Sequence, residues 1–194
     1  KLKIRRGDAV EVRSTQFNEP LSNLEKENGI LAINGNNLAY LYFRNNKFKG
    51  NESWKYPVYD RELREYISKE AGQKFDLIKI LTHTNGIELV MSRDEVGNVH
   101  VRNKNGDGYI EFKDDFYYYS FQGEDPLQYD RFPHLSAIIK KNQGLTRQQW
   151  LEATYHTHYP FAPVRIFDLF NSGKSGDIVI TSKNGVDFGK DYEF

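Results

Sequence analysis

Between Phe75 and Phe121 the chain breaks into five short apolar or β-branched runs, at 77–81, 87–91, 99–101, 109–112 and 116–121. They are separated by Asn85-Gly86, Gly97-Asn98 and Asn105-Gly106-Asp107-Gly108. Turns this close together leave no room for the long crossover that a parallel pair needs, so the spacing predicts an antiparallel meander. That prediction constrains the rest of the chain, because a meander with one apolar face must find something to cover it.

The flanking segments offer cover. Val10 and Val12 alternate with Glu11 and Arg13, as in a half-buried strand, and a polar loop follows to about Asn28. Gly29 to Ile33 and Leu38 to Phe43 read as two strands joined by Asn34-Gly35-Asn36-Asn37, a strong hairpin signal. The unbroken apolar run Leu38, Ala39, Tyr40, Leu41 predicts a strand covered on both faces. A helix is expected over 61–70, capped by Asp60, stopped by Gly72, with Leu63, Tyr66 and Ile67 on one face. Thr146 and Gln149 form a capping-box pattern before a helix bearing Trp150, Leu151 and Thr154. Pro163 opens a further helix with Ile166, Phe167 and Phe170 apolar and Arg165 and Asp168 facing away; it ends at 171–173, and 177–181 is a buried strand. The expected fold is mixed α/β: strands of a larger sheet, flanking helices and an antiparallel β-meander. It falls into a core-like section over 1–74, a meander over 75–125, and helices with a final core strand over 126–194.

Composition excludes several classes. A 194-residue chain with 38% hydrophobic and 14% aromatic residues carries enough apolar surface to fold. Its formal net charge is zero and its pI about 7.2, so it lacks the field that draws a nucleic acid. The apolar runs are too short to span a membrane, no apolar stretch follows the charges at 1–6 as a signal peptide requires, and the chain reads as soluble. Zero cysteines exclude disulfides, thiolate metal sites and a cysteine nucleophile. A start at Lys1 without methionine suggests processing or a fragment.

Four passages, taken in order, carry a resemblance: Asn34-Gly35-Asn36-Asn37-Leu38-Ala39-Tyr40-Leu41-Tyr42-Phe43, Asp125-Pro126-Leu127, Tyr159-Pro160-Phe161-Ala162-Pro163, and Ser175-Gly176-Asp177-Ile178-Val179-Ile180. Together, over roughly 28–194, the chain resembles the later part of type I phosphodiesterase/nucleotide pyrophosphatase-like proteins of the alkaline phosphatase superfamily. The resemblance implies a parent that hydrolyses phosphate esters or diesters with divalent metals, zinc or similar, and a Thr or Ser nucleophile. Neither the nucleophile nor the metal motifs of that family match a position here, so it implies no catalytic residue and no metal ligand in this chain. The implied partner is the remainder of the parent chain, with a phosphate-ester substrate and neither nucleic acid nor membrane.

Other candidates come from the residues alone. His156 and His158 would point the same way on a strand, as a metal site wants, but no third ligand is evident and a surface role is favoured. Asn103-Lys104-Asn105-Gly106-Asp107-Gly108-Tyr109-Ile110-Glu111-Phe112-Lys113-Asp114 imitates a calcium loop, yet its β-like flanks favour a hairpin turn. Alternation places Tyr117 and Tyr119 on one strand face and Tyr118 on the other, beside Phe116 and Phe121, which favours an aromatic core over ligand stacking. Gly173-Lys174-Ser175-Gly176 lies between helix and strand, the reverse of a phosphate-binding loop. Asp60, Asp114, Asp115 and Asp125 read as solvated or capping carboxylates. Two functional readings follow: a non-catalytic portion of a phosphohydrolase-like protein, or a self-contained binding module using the aromatic meander.

Overall fold

The computed structural model describes residues 4–7, 27–33, 37–68 and 72–188. The strand expected at Val10 and Val12 and the Asn34-Gly35-Asn36 part of the hairpin turn lie outside them. The fold is mixed α/β, and the chain divides into two compact units, 1–90 with 174–194, and 91–173.

In the first unit the strands run in the order β1 (Ile4–Gly7), β2 (Gly29–Ile33), β3 (Leu38–Phe43), β10 (Ile178–Ser182), β6 (Ile87–Arg93), and the last of these continues into the second unit at Met91. β1 pairs parallel with β2, whereas β3 pairs antiparallel with both β2 and β10. Tyr40 therefore faces Ala32 on one side and Val179 on the other. This central position explains the unbroken apolar run of β3, in which every residue after Leu38 is buried. Leu41, Phe43 and Ile178 pack with Val58, Leu63, Tyr66, Leu77 and Ile78 in one hydrophobic core.

Two expectations fail in this unit. The helix expected over 61–70 is only α1 (Asp60–Arg64), with Asp60 inside it and Tyr59 before it, where Tyr59 N–H donates to Glu62 Oε2 at 3.0 Å. It stops because Tyr66 turns inward: its hydroxyl donates to the carbonyls of Asn28 (3.0 Å) and Arg44 (3.2 Å), and β4 (Tyr66–Ile67) pairs with β5 (Lys74–Phe75). Burying that hydroxyl raises the Tyr66 pKa and keeps it a donor. Ile67, expected on the apolar face, is 50% exposed.

The run at 77–81, read as the first meander strand, is a helix, α2 (Leu77–Thr82). Asp76 Oδ1 accepts from Lys79 N–H at 2.8 Å, the capping bond that opens it. Leu77 and Ile78 face the core while Ile80 is half exposed. An apolar run of this length fits either period, and the cap is the discriminating signal.

The second unit holds the meander. β6, β7 (Val99–Arg102), β8 (Gly106–Lys113) and β9 (Phe116–Gly123) follow one another in space as in sequence. β8 is antiparallel to both β7 and β9. The β8–β9 turn is Asp114-Asp115, both left-handed at φ 52° and 67°, which suits the twist of a two-residue hairpin. Val99, Val101, Ile110, Tyr117 and Tyr119 are buried on one face. Three helices complete the unit: α3 (Pro133–Lys140), α4 (Arg147–Thr154) and α5 (Ala162–Asn171).

α4 begins at the expected capping box, with Gln149 N–H donating to Thr146 Oγ1 and Thr146 N–H to Gln149 Oε1. Its Trp150 is fully buried and donates Nε1–H to Tyr117 O at 2.9 Å, whereas Leu151 is 41% exposed and does not share its face. α5 places Phe167 against Tyr117 and Phe112, and Tyr129 bridges Tyr119 and Trp150. Leu145 exchanges both backbone hydrogen bonds with Tyr117, pairing the outer edge of β9 at that point.

Candidate functional site

Three carboxylates organise the polar chemistry, and the four resemblance passages gather around two of them. In the first unit, Asp177 is buried just before β10. Its Oδ2 accepts from Phe43 N–H at 2.7 Å and its Oδ1 from Val58 N–H at 3.0 Å. Asp177 thus joins the two ends of the excursion over 44–57, a compact loop of the Ω type. The loop is fastened internally as well. Asn45 Nδ2 donates to Pro57 O at 2.8 Å, Asn45 N–H to Ser53 O at 2.8 Å, and Arg44 Nε–H to Ser53 Oγ at 3.1 Å.

Gly176 is required beside it. A Cβ there would lie 2.7 Å from Leu41 O and 2.9 Å from Leu41 N, so no larger residue lets the chain pass so close to β3. Asp177 N–H then donates to Leu41 O at 2.8 Å and extends the ladder.

In the second unit Asp125 is buried and its acceptor capacity is full. Oδ1 accepts from the Tyr119 hydroxyl and Leu127 N–H, and Oδ2 from Tyr129 N–H and Asp130 N–H. Burial, reinforced by the Asp125 charge, pushes the Tyr119 hydroxyl pKa well up and keeps it protonated as a donor. The Tyr129 hydroxyl donates to Tyr159 O, and Phe161 N–H donates to Thr154 Oγ1 at 2.7 Å. The resemblance passages therefore pair two by two: the first and fourth as β3 against β10, the second and third through Asp125, Tyr129 and Tyr159.

The third carboxylate, Asp107, is partly exposed on the outer face of the meander. It accepts from Arg102 Nε–H at 2.8 Å and sits 3.1 Å from His100 Nδ1. Arg102 is buried and also reaches Ser92 Oγ at 3.1 Å. Burial alone would raise the Asp107 carboxyl pKa, but the His100 hydrogen bond and the Arg102 charge outweigh it and hold the carboxyl below its usual range. Beside it, Asn98 Nδ2 donates to the Tyr109 hydroxyl, which donates to Asp94 Oδ2 at 3.2 Å. This network orders side chains that alternation places on one face. Sequence reasoning passed over it, although His100, Arg102, Asp107 and Tyr109 share the outward parity of β7 and β8.

The remaining candidates find structural places. His156 and His158 lie in the exposed turn after α4, not on a strand, so the spacing that would have aligned them does not apply. The calcium-loop imitation, expected as a hairpin turn, is spread over the β7–β8 turn, strand β8 and Asp114 of the β8–β9 turn. Asn103 Oδ1 accepts from Asn105 N–H and Gly106 N–H at 2.8 and 2.7 Å, an Asx turn. Tyr118 faces away from buried Tyr117 and Tyr119, and the backbone of Gly144 lies against its ring. Gly173, at φ 68°, ends α5 before Ser175, Gly176 and Asp177 enter the sheet. Asp60 is buried in α1, and Asp114 and Asp115 form the hairpin turn.

Arg147 forms a two-pronged pair with Asp168, at 2.6 and 3.2 Å, and also reaches the Tyr117 hydroxyl at 2.8 Å. Among the described residues, no three His, Asp or Glu side chains converge as a metal ion requires. The Asp177 oxygens accept from backbone N–H groups and those of Asp125 from three backbone N–H groups and the Tyr119 hydroxyl, so these residues do not fit the two-metal site that the resemblance implies for the parent. Among the described residues no helix is long and apolar enough to cross a membrane. No protein-family model, curated protein or solved structure matches the chain.

Proposed function

We propose that this chain is a non-catalytic portion of a metal-dependent phosphohydrolase-like protein, of the phosphodiesterase/nucleotide pyrophosphatase kind. The observation that carries the reading is the pairwise meeting of the four resemblance passages. Passages more than a hundred residues apart, around Leu41 and Ile178, become neighbouring strands with Val179 opposite Tyr40. Their distinctive residues have scaffold roles: Gly176 allows close approach, Asp177 closes the loop over 44–57, and Asp125 organises the segment after β9. On this reading the chain supplies sheet strands and a meander to a site whose metals and nucleophile come from the rest of the parent.

The test is hydrolysis of bis-p-nitrophenyl phosphate and p-nitrophenyl phosphate with zinc, magnesium or manganese, by this chain and by a longer parent protein. Turnover by the longer protein and none by this chain is the expected result. Turnover by this chain alone would overturn the reading. Silence from both would favour the self-contained binding module using the aromatic meander.

A further inference from the structure

The sequence contains five Asn-Gly pairs, at 28–29, 34–35, 85–86, 105–106 and 184–185, and all but Asn34-Gly35 fall among the described residues. Asn-Gly is the dipeptide most open to self-modification, because glycine offers no side chain to hinder its own amide nitrogen. That nitrogen, after giving its proton to solvent, attacks the Asn side-chain carbonyl carbon. A new C–N bond closes a five-membered succinimide and ammonia leaves. Water then opens the ring at either carbonyl, giving aspartate or isoaspartate. The reaction needs an accessible Asn side chain, a glycine N–H not already committed, and a backbone free to bring the two together.

We infer that Asn184 and Asn85 are sites of spontaneous deamidation in the folded protein and that Asn105 and Asn28 are protected. Asn184 is exposed at the second position of the turn closed by Val186 N–H to Lys183 O at 3.0 Å. Gly185 follows at φ 79° with open space around it. Asn85 has the same place in the turn closed by Ile87 N–H to Thr84 O at 3.3 Å, with Gly86 at φ 91°. In a turn of this kind the third residue's N–H is not used by the closing bond. The two turns are neighbours: Lys183 N–H donates to Gly86 O at 2.9 Å, and a Cβ on Gly86 would lie 3.2 Å from Val186.

The protected pairs differ in physical detail. Asn105 is as exposed as Asn184 by class, yet Gly106 N–H is committed to Asn103 Oδ1 at 2.7 Å. The Asn105 side-chain amide donates to Glu124 Oε2 at 3.0 Å, and the Asn105 backbone carbonyl accepts from Glu124 N–H at 3.2 Å. Asn28 is 2% exposed, and its backbone carbonyl accepts from both Arg44 N–H and the Tyr66 hydroxyl. Exposure alone would group Asn105 with the reactive pair, whereas hydrogen bonding groups it with Asn28.

The experiment incubates the folded chain at mildly alkaline pH, with a second arm in urea, and quantifies isoaspartyl peptides by digestion and mass spectrometry. Isoaspartate at 85 and 184 in both arms, and at 28 and 105 only in urea, is the expected pattern. Intact Asn85 and Asn184 in the folded arm, or Asn105 reacting as fast as Asn184 there, would overturn the inference. Asn184→Gln should remove the product at that turn alone, and Asn103→Ala, which frees Gly106 N–H, should switch on the reaction at Asn105. Continued inertness of Asn105 in the folded Asn103→Ala chain would refute the hydrogen-bond protection.

Discussion

The two units solve the same problem, ordering a loop with a buried carboxylate, from opposite directions in the sequence. Asp125 is local: its donors lie at Tyr119, Leu127, Tyr129 and Asp130, within a few residues of itself. Asp177 is remote: its donors, Phe43 and Val58, lie more than a hundred residues earlier. A local carboxylate forms its bonds with little loop-closure entropy, and the consecutive hairpins of the second unit share that economy. The remote one joins ends of the first unit that the chain has separated by the whole of the second.

The most severe test of this contrast removes each carboxylate. Asp125→Ala strips four donors of their acceptor, three of them on residues that are buried, and should destabilise its unit by about 3–5 kcal/mol. Asp177→Ala orphans two backbone N–H groups and should cost about 2–4 kcal/mol. Hydrogen exchange followed residue by residue separates them. Asp125→Ala should speed exchange across 91–173, and Asp177→Ala should do so first at Phe43 and Val58. Equal loss of protection throughout the chain in both variants would show one cooperative unit and break the comparison.

A smaller effect is expected from Gly176→Ala, because the new methyl meets backbone atoms of Leu41 that cannot rotate away. Overpacking of this kind should cost about 1–3 kcal/mol. It sharpens the contrast if thermal unfolding shows the loss while Gly173→Ala, a site with open space, shows only the lesser strain of its φ of 68°. Equal losses would mean that close approach to β3 is not what fixes glycine at 176.

Where sequence and structure agree, one local rule sufficed. The apolar run of β3 and the capping box at Thr146 and Gln149 each specify their own geometry within a few positions, whereas Gly106 to Gly108, expected in a turn, belong to β8 and the β8–β9 turn falls on Asp114-Asp115. The failures have two causes: a distant partner decided one, and a local signal went unread in the others. The helix expected over 61–70 stops because Tyr66 is drawn to carbonyls of Asn28 and Arg44, which no local pattern announces. The run at 77–81 is ambiguous in period, and only the Asp76 cap distinguishes it. α3 went unnamed in advance, although Pro133 at its start was a usable signal. Asp125, read as a solvated or capping carboxylate, is buried with four donors, and the role of Asp177 depends on donors in β3 and after the loop, so its motif was visible and its purpose was not.

The mildest of these effects concerns the one carboxylate of the three that solvent reaches. Asp107 has its carboxyl pKa held below the ordinary 3.8 by His100 and Arg102, against the opposing pull of burial. A carboxyl depressed in the folded state favours folding at every pH above its unfolded value, and that contribution drains away as acid titrates it through the lower native value. The melting temperature should therefore fall on acidification below about pH 3.8, and Asp107→Asn should make that fall shallower while lowering stability slightly at neutral pH. Partial exposure keeps the change small, since solvent screens the Arg102 pairing. An acid limb of unchanged slope in Asp107→Asn would mean that His100 and Arg102 order the meander's outer face without storing protonation energy there, leaving Asp107 no different from a solvated turn carboxylate.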